Sequence, residues 1–447
     1  MINLQNIKIS CFVILTTSLL GCSSDESQAS GLTSPKISSI TTIGGTKNES
    51  GNSIVKTLDG GYAIFGYTQS SDGDISNKTD NTFDYWLMKF DAFGTAQWQK
   101  TYGGSNDDKG QCIIATNDDG YAILGSSKSN NVDATSNAGF DDFWILKLSQ
   151  NGDIIWEKSY GYAGADNAFS VIQSTDGGFI LAGVLDVTAS NGEGNNRLAT
   201  RRHAGGDYWV IKLDSSGELI WSRYFGGSFT DTAYGVIETT DGNIIVAGSS
   251  DSNDVNISNN KGTYDFWIIK LDGNGNLIWD QSYGGSEIDE ARDITETIDG
   301  NFIIVGDSRS NDQNVSNNNG AADIWAIKIN TDGTIIWQKT YGGTGFDGVQ
   351  SVYKTQNNDY IIAGNSRSAD GDLTKNNGQN DAWLIKINDQ GTLLWQTSAG
   401  GSQVDLLMDV TELNNRTIVA VGQSNSDDVD ITENKGFTDL LILKIEP

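Results

Sequence analysis

Along most of the chain, apolar residues come in short runs of about five, broken by Gly, Asn and Asp, and no stretch of ten residues keeps a helical period. One stretch shows the rule: Val236 to Thr239, Asp241-Gly242, Ile244 to Gly248, a long polar segment, Phe266 to Leu271, Asp272-Gly273-Asn274-Gly275, then Leu277 to Tyr283. Runs of this length joined by tight Gly turns predict four strands in an antiparallel meander.

The unit recurs. The triplet Asp-x-Trp begins at Asp84, Asp142, Asp207, Asp265, Asp323 and Asp381, with a degenerate copy at Asp439, at intervals of 58, 65, 58, 58, 58 and 58 residues. Five residues after each Asp stands a Lys: Lys89, Lys147, Lys212, Lys270, Lys328, Lys386 and Lys444. A second Trp follows in six copies, from Trp98 to Trp395, and a Gly-Gly pair closes most units. Four strands repeated seven times at this spacing are the signature of a β-propeller, with an open solenoid of sheets as the alternative. The ends favour a ring. Ile37 to Gly45 match a fourth strand plus Gly-Gly, as in Leu393 to Gly401, whereas Pro447 follows a third strand. The predicted fold is therefore all-β: a seven-bladed β-propeller of four-stranded antiparallel blades over residues 37–447, closed by the N-terminal strand completing the last blade.

Residues 1–21 carry one charge, Lys8, and an apolar run from Ile9 to Leu20, too short and too interrupted for a membrane span, which reads as a signal peptide. Residues 22–36 have no apolar periodicity and read as a flexible acidic tether. With 58 acidic against 29 basic side chains the formal charge is -29, which disfavours nucleic acid as a partner. Of the three Cys only Cys112 lies in the repeat region, so no intrachain disulfide is expected there. The single His, His203, argues against a Ser-His-Asp triad or a multi-His metal site, and no phosphate-binding loop or nucleophile elbow is present. Paired-carboxylate glycosidase chemistry stays open, but the sequence leans away from an enzyme.

Three resemblances add to this. Leu19-Leu20-Gly21-Cys22 resembles the bacterial lipobox, implying acylation of Cys22, and Asp25-Glu26 resemble the acidic export signal of Bacteroidota surface lipoproteins. The segment Asp-x-x-Gly-x-x-x-Trp, as in Asp214 to Trp221 and Asp272 to Trp279, resembles the tryptophan-docking repeat of quinoprotein-like and outer-membrane-assembly propellers, implying that this Trp packs between blades. The whole unit, with its Asp-Gly-Gly-Tyr/Phe turns and Tyr-Gly-Gly ends, resembles a repeat of secreted Bacteroidota proteins. The mannose motif of bulb-type lectins and the Cys pair that accompanies a quinone are both absent.

In a meander, the tight turns of strands one to two and three to four share one face, and the long loops and blade connections share the other. Function on loops belongs to the second face. Two acidic positions recur there, Glu49, Asp108, Asp166, Asp231, Asp289, Asp347 and Asp405, and the Asp opening each third strand; repetition in every blade reads as backbone capping. The repeated Lys reads as a paired or snorkelling side chain. The long loops carry Asp72 and Asp74, Asp370 and Asp372, and Asp428 and Asp430, alternating oxygens that suit either Ca²⁺ or solvated Asx turns. Departures from the repeat are the candidate ligand site. Tyr162 stands where Gly is usual, and the lengthened third long loop gathers Arg197, Arg201, Arg202 and His203, suited to an anionic ligand group or else paired with acidic neighbours. One variable position of the innermost strand, Asn52, Gln111, Phe169, Tyr234, Arg292, Gln350 and Met408, is expected at the channel mouth, for stacking on a sugar or as plain packing. The resulting expectation is a lipid-anchored, non-catalytic outer-membrane or cell-surface propeller, monomeric, that binds a glycan or protein partner through its loop-rich face. The alternatives are a structural component of a surface complex and a glycan-active enzyme.

Overall fold

The second and third strands of every unit are apolar on both faces, so both faces must be covered. In the computed structural model, which describes residues 35–195, 203 and 205–447, seven four-stranded sheets are packed on one another to meet that requirement. Strand β1 (Ile37–Ile43) precedes blade 1, which comprises β2 (Glu49–Lys56), β3 (Tyr62–Thr68), β4 (Asp84–Phe90) and β5 (Ala96–Tyr102). Blades 2 to 6 repeat this meander over residues 108–160, 167–225, 231–283, 289–341 and 347–399. Blade 7 takes three strands from residues 405–445 and its fourth from β1, which pairs antiparallel with Asp439–Ile445. The predicted closure is thus observed. Cys22, Arg197, Arg201 and Arg202 lie outside the described residues.

The strands are longer than the apolar runs suggest. The inner strand of blade 4 spans Asp231–Glu238, eight residues, because its first half carries polar and aromatic residues toward the channel and so lacks apolar alternation. Every inner strand has a β-bulge at its fourth position, between Gly51 and Ser53 in blade 1 and Ala291 and Asp293 in blade 5.

The cores lie between blades. One joins Ala247, Phe266 and Ile268 of blade 4 to Ala291, Ile304 and Trp325 of blade 5. The third-strand indoles are buried, and each N–H finds an acceptor on the outer strand thirteen residues on: Trp86 donates to Gln99 at 2.9 Å and Trp325 to Gln338 at 3.0 Å. In blade 7 the third-strand residue is Leu441, which asks for no such partner, and its outer strand comes from the other end of the chain. The outer-strand Trp reaches the next blade as the resemblance implies, Trp221 donating to Gly273 O at 3.1 Å and Trp337 to Asp389 O at 3.0 Å.

In five blades the repeated Lys pairs with the Asp of the tight turn beside it: Lys89 with Asp59 at 2.8 Å, Lys147 with Asp118, Lys212 with Asp176 and Lys386 with Asp359 at 2.9 Å, and Lys328 with Asp299 at 3.0 Å. In blade 7 the equivalent residue is Asn415, which still caps its turn through Thr417 N but leaves Lys444 without a carboxylate, and burial lowers the Lys444 pKa. Asn415→Asp is expected to restore the pair and stabilise the protein by up to about 1 kcal/mol, measured as a higher denaturation midpoint in urea. Trp325→Ala is expected to cost about 3–5 kcal/mol in the same measurement.

Candidate functional site

The same backbone hydrogen bond recurs at six of the junctions between successive blades, with one or two more beside it at most of them. The N–H of the acid opening an inner strand donates to the carbonyl just before the preceding blade's third-strand Asp, as Asp347 N to Ala322 O at 2.8 Å and Asp289 N to Tyr264 O at 2.7 Å. That bond brings two carboxyl groups side by side. The inner-strand acid is buried and caps the Gly-Gly connection: Asp289 accepts Gly285 N at 2.7 Å, Ser310 Oγ at 2.8 Å and the Ser308 hydroxyl. Glu49 does the same through Gly45 N, Thr68 Oγ1 and Ser70 N. These bonds match the capping expected of repeated acids.

The third-strand Asp is less fully matched. Its Oδ2 accepts the N–H four residues back, as Asp323 from Asn319 at 2.8 Å and Asp265 from Lys261, and its Oδ1 is buried without a partner at all seven junctions. Burial beside a second carboxyl group pushes these acids up, Asp142, Asp207, Asp265 and Asp439 to about 6, Asp84 and Asp323 to about 7. At Asp84 the cap comes instead from Lys78 Nζ at 2.8 Å, and at Asp207 from the imidazole Nδ1 of His203. His203 is therefore turned inward, against Asp207 and the ring of Tyr224. Tyr162 packs on Trp209 with ring centroids 6.0 Å apart, and its backbone N–H caps Asp166 at 2.7 Å.

The alternating loop acids hold the same connection from above. Asp72 accepts Thr46 N at 2.9 Å and Thr46 Oγ1 at 2.8 Å, and Asp74 accepts Gly44 N at 3.1 Å. Asp370 and Asp372 take Thr344 N and Gly342 N at 2.8 and 3.0 Å; Asp428 and Asp430 take Ser402 N and Gly400 N at 2.7 and 3.4 Å. Among the described residues no group of three or more His, Cys, Asp or Glu is arranged to hold a metal ion. The residue between the two loop acids has positive φ: Gly73 and Gly371, but also Val132, Val255 and Val429 at 61°, 58° and 56°. A β-branched residue is strained there.

The variable inner-strand residues meet across blades, as expected of a channel wall. Asn52 Nδ2 donates to Gly110 O at 2.8 Å and to Gln111 Oε1 at 3.4 Å. Phe169 and Tyr234 have ring centroids 5.0 Å apart, and Arg292 lies 4.8 Å over Tyr234 while bonding Glu290 at 3.0 Å. Gln350 and Met408 occupy the same half-buried position on blades 6 and 7. Sequence reasoning missed the ring one residue further in: Ser53, Cys112, Ser170, Gly235, Asp293, Ser351 and Asp409. Here a side chain caps an N–H of the next blade, as Asp409 does for Ile54 N at 2.9 Å and Asp293 for Val352 N at 2.8 Å. Gly235 has nothing to offer, and Ile294 N is met by its own Asp293 at 2.8 Å. Burial pushes the Cys112 thiol up to about 12, which disfavours the thiolate at neutral pH.

Sequence reasoning also missed what stands on the capped loops. Phe140, Phe229 and Phe437 are 71%, 61% and 71% exposed, yet their backbone N–H groups are fixed to Gly164 O at 3.0 Å, Ser252 Oγ at 3.0 Å and Lys47 O at 2.8 Å. Phe140 borders an open depression of about 320 Å³ with Thr82, Asn106, Asp107 and Lys128. Three exposed cations lie by aromatic rings on this face: Lys109 at 4.4 Å from Phe83, and Arg309 and Arg367 at 5.8 and 5.9 Å from Phe346.

Val429→Gly is expected to relieve strain and stabilise by about 1 kcal/mol, whereas Asp289→Ala, which strands three buried donors, is expected to cost about 3 kcal/mol or more; chemical denaturation measures both.

No family model matches the chain. The Regulatory protein FlaEY of Caulobacter vibrioides is 25% identical over 280 residues, covering 56% of this chain, and the chain spans only 28% of that protein's length. Among solved structures, BamB from Moraxella catarrhalis aligns over 91% of this chain and 85% of its own at 15% identity with a TM-score of 0.40. The WD40 β-propeller domain of Doa1 aligns over 93% of this chain and 98% of its own at 11% identity with a TM-score of 0.53, a likeness of fold: the chain is similar to a WD40 β-propeller.

Proposed function

We propose that this protein is a non-catalytic binding propeller that holds a protein partner on its loop-rich face. The observation that carries the reading is the set of exposed aromatic side chains, Phe140, Phe229 and Phe437, on backbone that hydrogen bonds already fix. Exposing a large apolar side chain is costly, and rigid aromatic anchors lose little entropy on binding. Phe140 and Phe437 belong to blades 2 and 7, which flank blade 1, whose own residue at that position is Thr82. A glycan is the second reading, favoured by Phe169, Tyr234 and Arg292 in contact at the channel wall with Asn52 and Gln111 on the same ring. The extended third loop, with Arg197, Arg201 and Arg202, belongs to that reading as an anion contact.

Anchoring through an acylated Cys22, after removal of residues 1–21, is part of the same proposal, as is outward display at the outer membrane. Because β1 begins at Ile37, beside the tight turns, attachment through the N-terminal segment leaves the loop-rich face free.

Replacing Phe140 and Phe437 together by Ser is expected to reduce capture of the cognate protein at least tenfold while leaving the melting temperature within about 2 °C, since neither ring is packed in a core. Retained capture by that double variant, with capture lost in Tyr234→Ala and Arg292→Ala, would move the reading to the channel wall and a glycan.

A further inference from the structure

We propose that the junction between blades 5 and 6 is a proton-binding site, with one hydrogen shared between the carboxyl groups of Asp323 and Asp347. Both side chains are fully buried. Asp347 is supplied with donors from three directions, Gly343 N at 2.8 Å, Ser368 Oγ at 2.7 Å and the Ser366 hydroxyl, which is the environment of an ionised carboxylate. Asp323 differs between its two oxygens. Oδ2 accepts Asn319 N at 2.8 Å, and Oδ1 has no partner.

The two carboxyl groups crowd the same spot. A Cβ on Gly342 would lie 2.5 Å from Asp323 Oδ1 and 2.6 Å from Asp347 Oδ2, so only glycine fits between them. Two ionised carboxylates brought against one point in a buried setting repel, and the charge of Asp347 is among the causes that raise the Asp323 pKa. The third charged group that faces Asp323 is also acidic, Asp372 from the long loop of blade 6, whose oxygen is bonded to Gly342 N at 3.0 Å. Among the described residues no Lys, Arg or His forms an ion pair with any of the three. A metal ion needs room and further ligands, and no such group of ligands is found here. A hydrogen on Asp323 Oδ1 needs no room. It turns the orphan acceptor into a donor beside the Asp347 carboxylate and removes one of the two charges.

Burial and the neighbouring acids hold the Asp323 pKa up at about 7, against an ordinary value near 3.8. At this site the folded protein therefore holds one proton more than the unfolded chain between about pH 4 and pH 7, as the other raised junction acids do at theirs, and this junction's contribution to stability falls as pH rises through that window. Asp299, Asp59, Asp118 and Asp176 in the tight turns, held down at about 2, have finished titrating before it opens.

The test is thermal melting of wild type, Asp323→Asn and Asp347→Asn from pH 5 to pH 8. The amide of Asp323→Asn supplies a permanent N–H toward Asp347 and keeps an oxygen for Asn319 N. It is expected to match wild type at pH 5 and to melt about 2–4 °C above it at pH 8, with a shallower fall between. Asp347→Asn loses acceptors and is expected to melt lower at every pH. The wild type minus Asp323→Asn infrared difference spectrum at pH 6, expected to show the band of one protonated carboxylic acid over the background of the other raised acids, is the direct readout. A pH slope for Asp323→Asn equal to that of wild type, a lower melting temperature for it at both ends, or a difference spectrum without that band would each overturn the proposal.

Discussion

The blade junction is the constraint from which most of this structure follows. Adjacent blades are joined by only a few backbone hydrogen bonds, such as Asp347 N to Ala322 O and Ala321 N to Gly345 O, so the turn between blades has to be fixed by side chains. A Gly-Gly connection bends sharply and leaves N–H groups with no strand to pair with, and a buried carboxylate meets them. A second carboxylate comes with the third strand, and the long loop lays two further acids or amides over the same turn. The high acid content is thus largely architectural. Asp289, Asp347 and their counterparts are part of the frame, and the search for function is left with the positions that differ between blades.

Those positions cluster by height along the axis. At the waist the ring of Ser53, Cys112, Asp293, Ser351 and Asp409 closes the gaps that the bulges open, and its irregular chemistry follows from what each neighbour lacks, as Asp293 serves Ile294 where Gly235 offers nothing. Above it, Phe169, Tyr234 and Arg292 form a continuous contact on blades 3 to 5, while Asn52 and Gln111 form a polar one on blades 1 and 2. At the rim stand Phe140, Phe229 and Phe437. A scaffold with seven equivalent blades carries an asymmetric surface only at such places.

Fold and ring closure were legible in the sequence because both are periodic: a fixed spacing of Asp-x-Trp, and a fourth-strand pattern displaced to the N-terminus. The pairing of Lys328 with Asp299, and the docking of Trp221 on the next blade, were legible for the same reason. What was not legible depends on register between blades. The inward turn of His203 onto Asp207 looks in sequence like one more base in an Arg-rich loop; its role appears only when it occupies the place that Asn319 N fills for Asp323. The orphan Oδ1 atoms could not be read at all, since no local pattern tells an Asp with two bonded oxygens from an Asp with one. The exposure of Phe140 and Phe437 was hidden likewise, because an aromatic residue beside a strand start reads as core.

The pairing of β1 with Asp439–Ile445 has a temporal side. During synthesis the first strand of the propeller leaves the ribosome about 400 residues ahead of its partner, so the seventh sheet cannot be assembled until Asp439–Ile445 has been made. Contacts of such sequence separation form late and slowly, and an unpaired edge strand invites association with other chains. Once closed, the seventh sheet holds segments about 400 residues apart in sequence, so it opens by parting β1 from Asp439–Ile445.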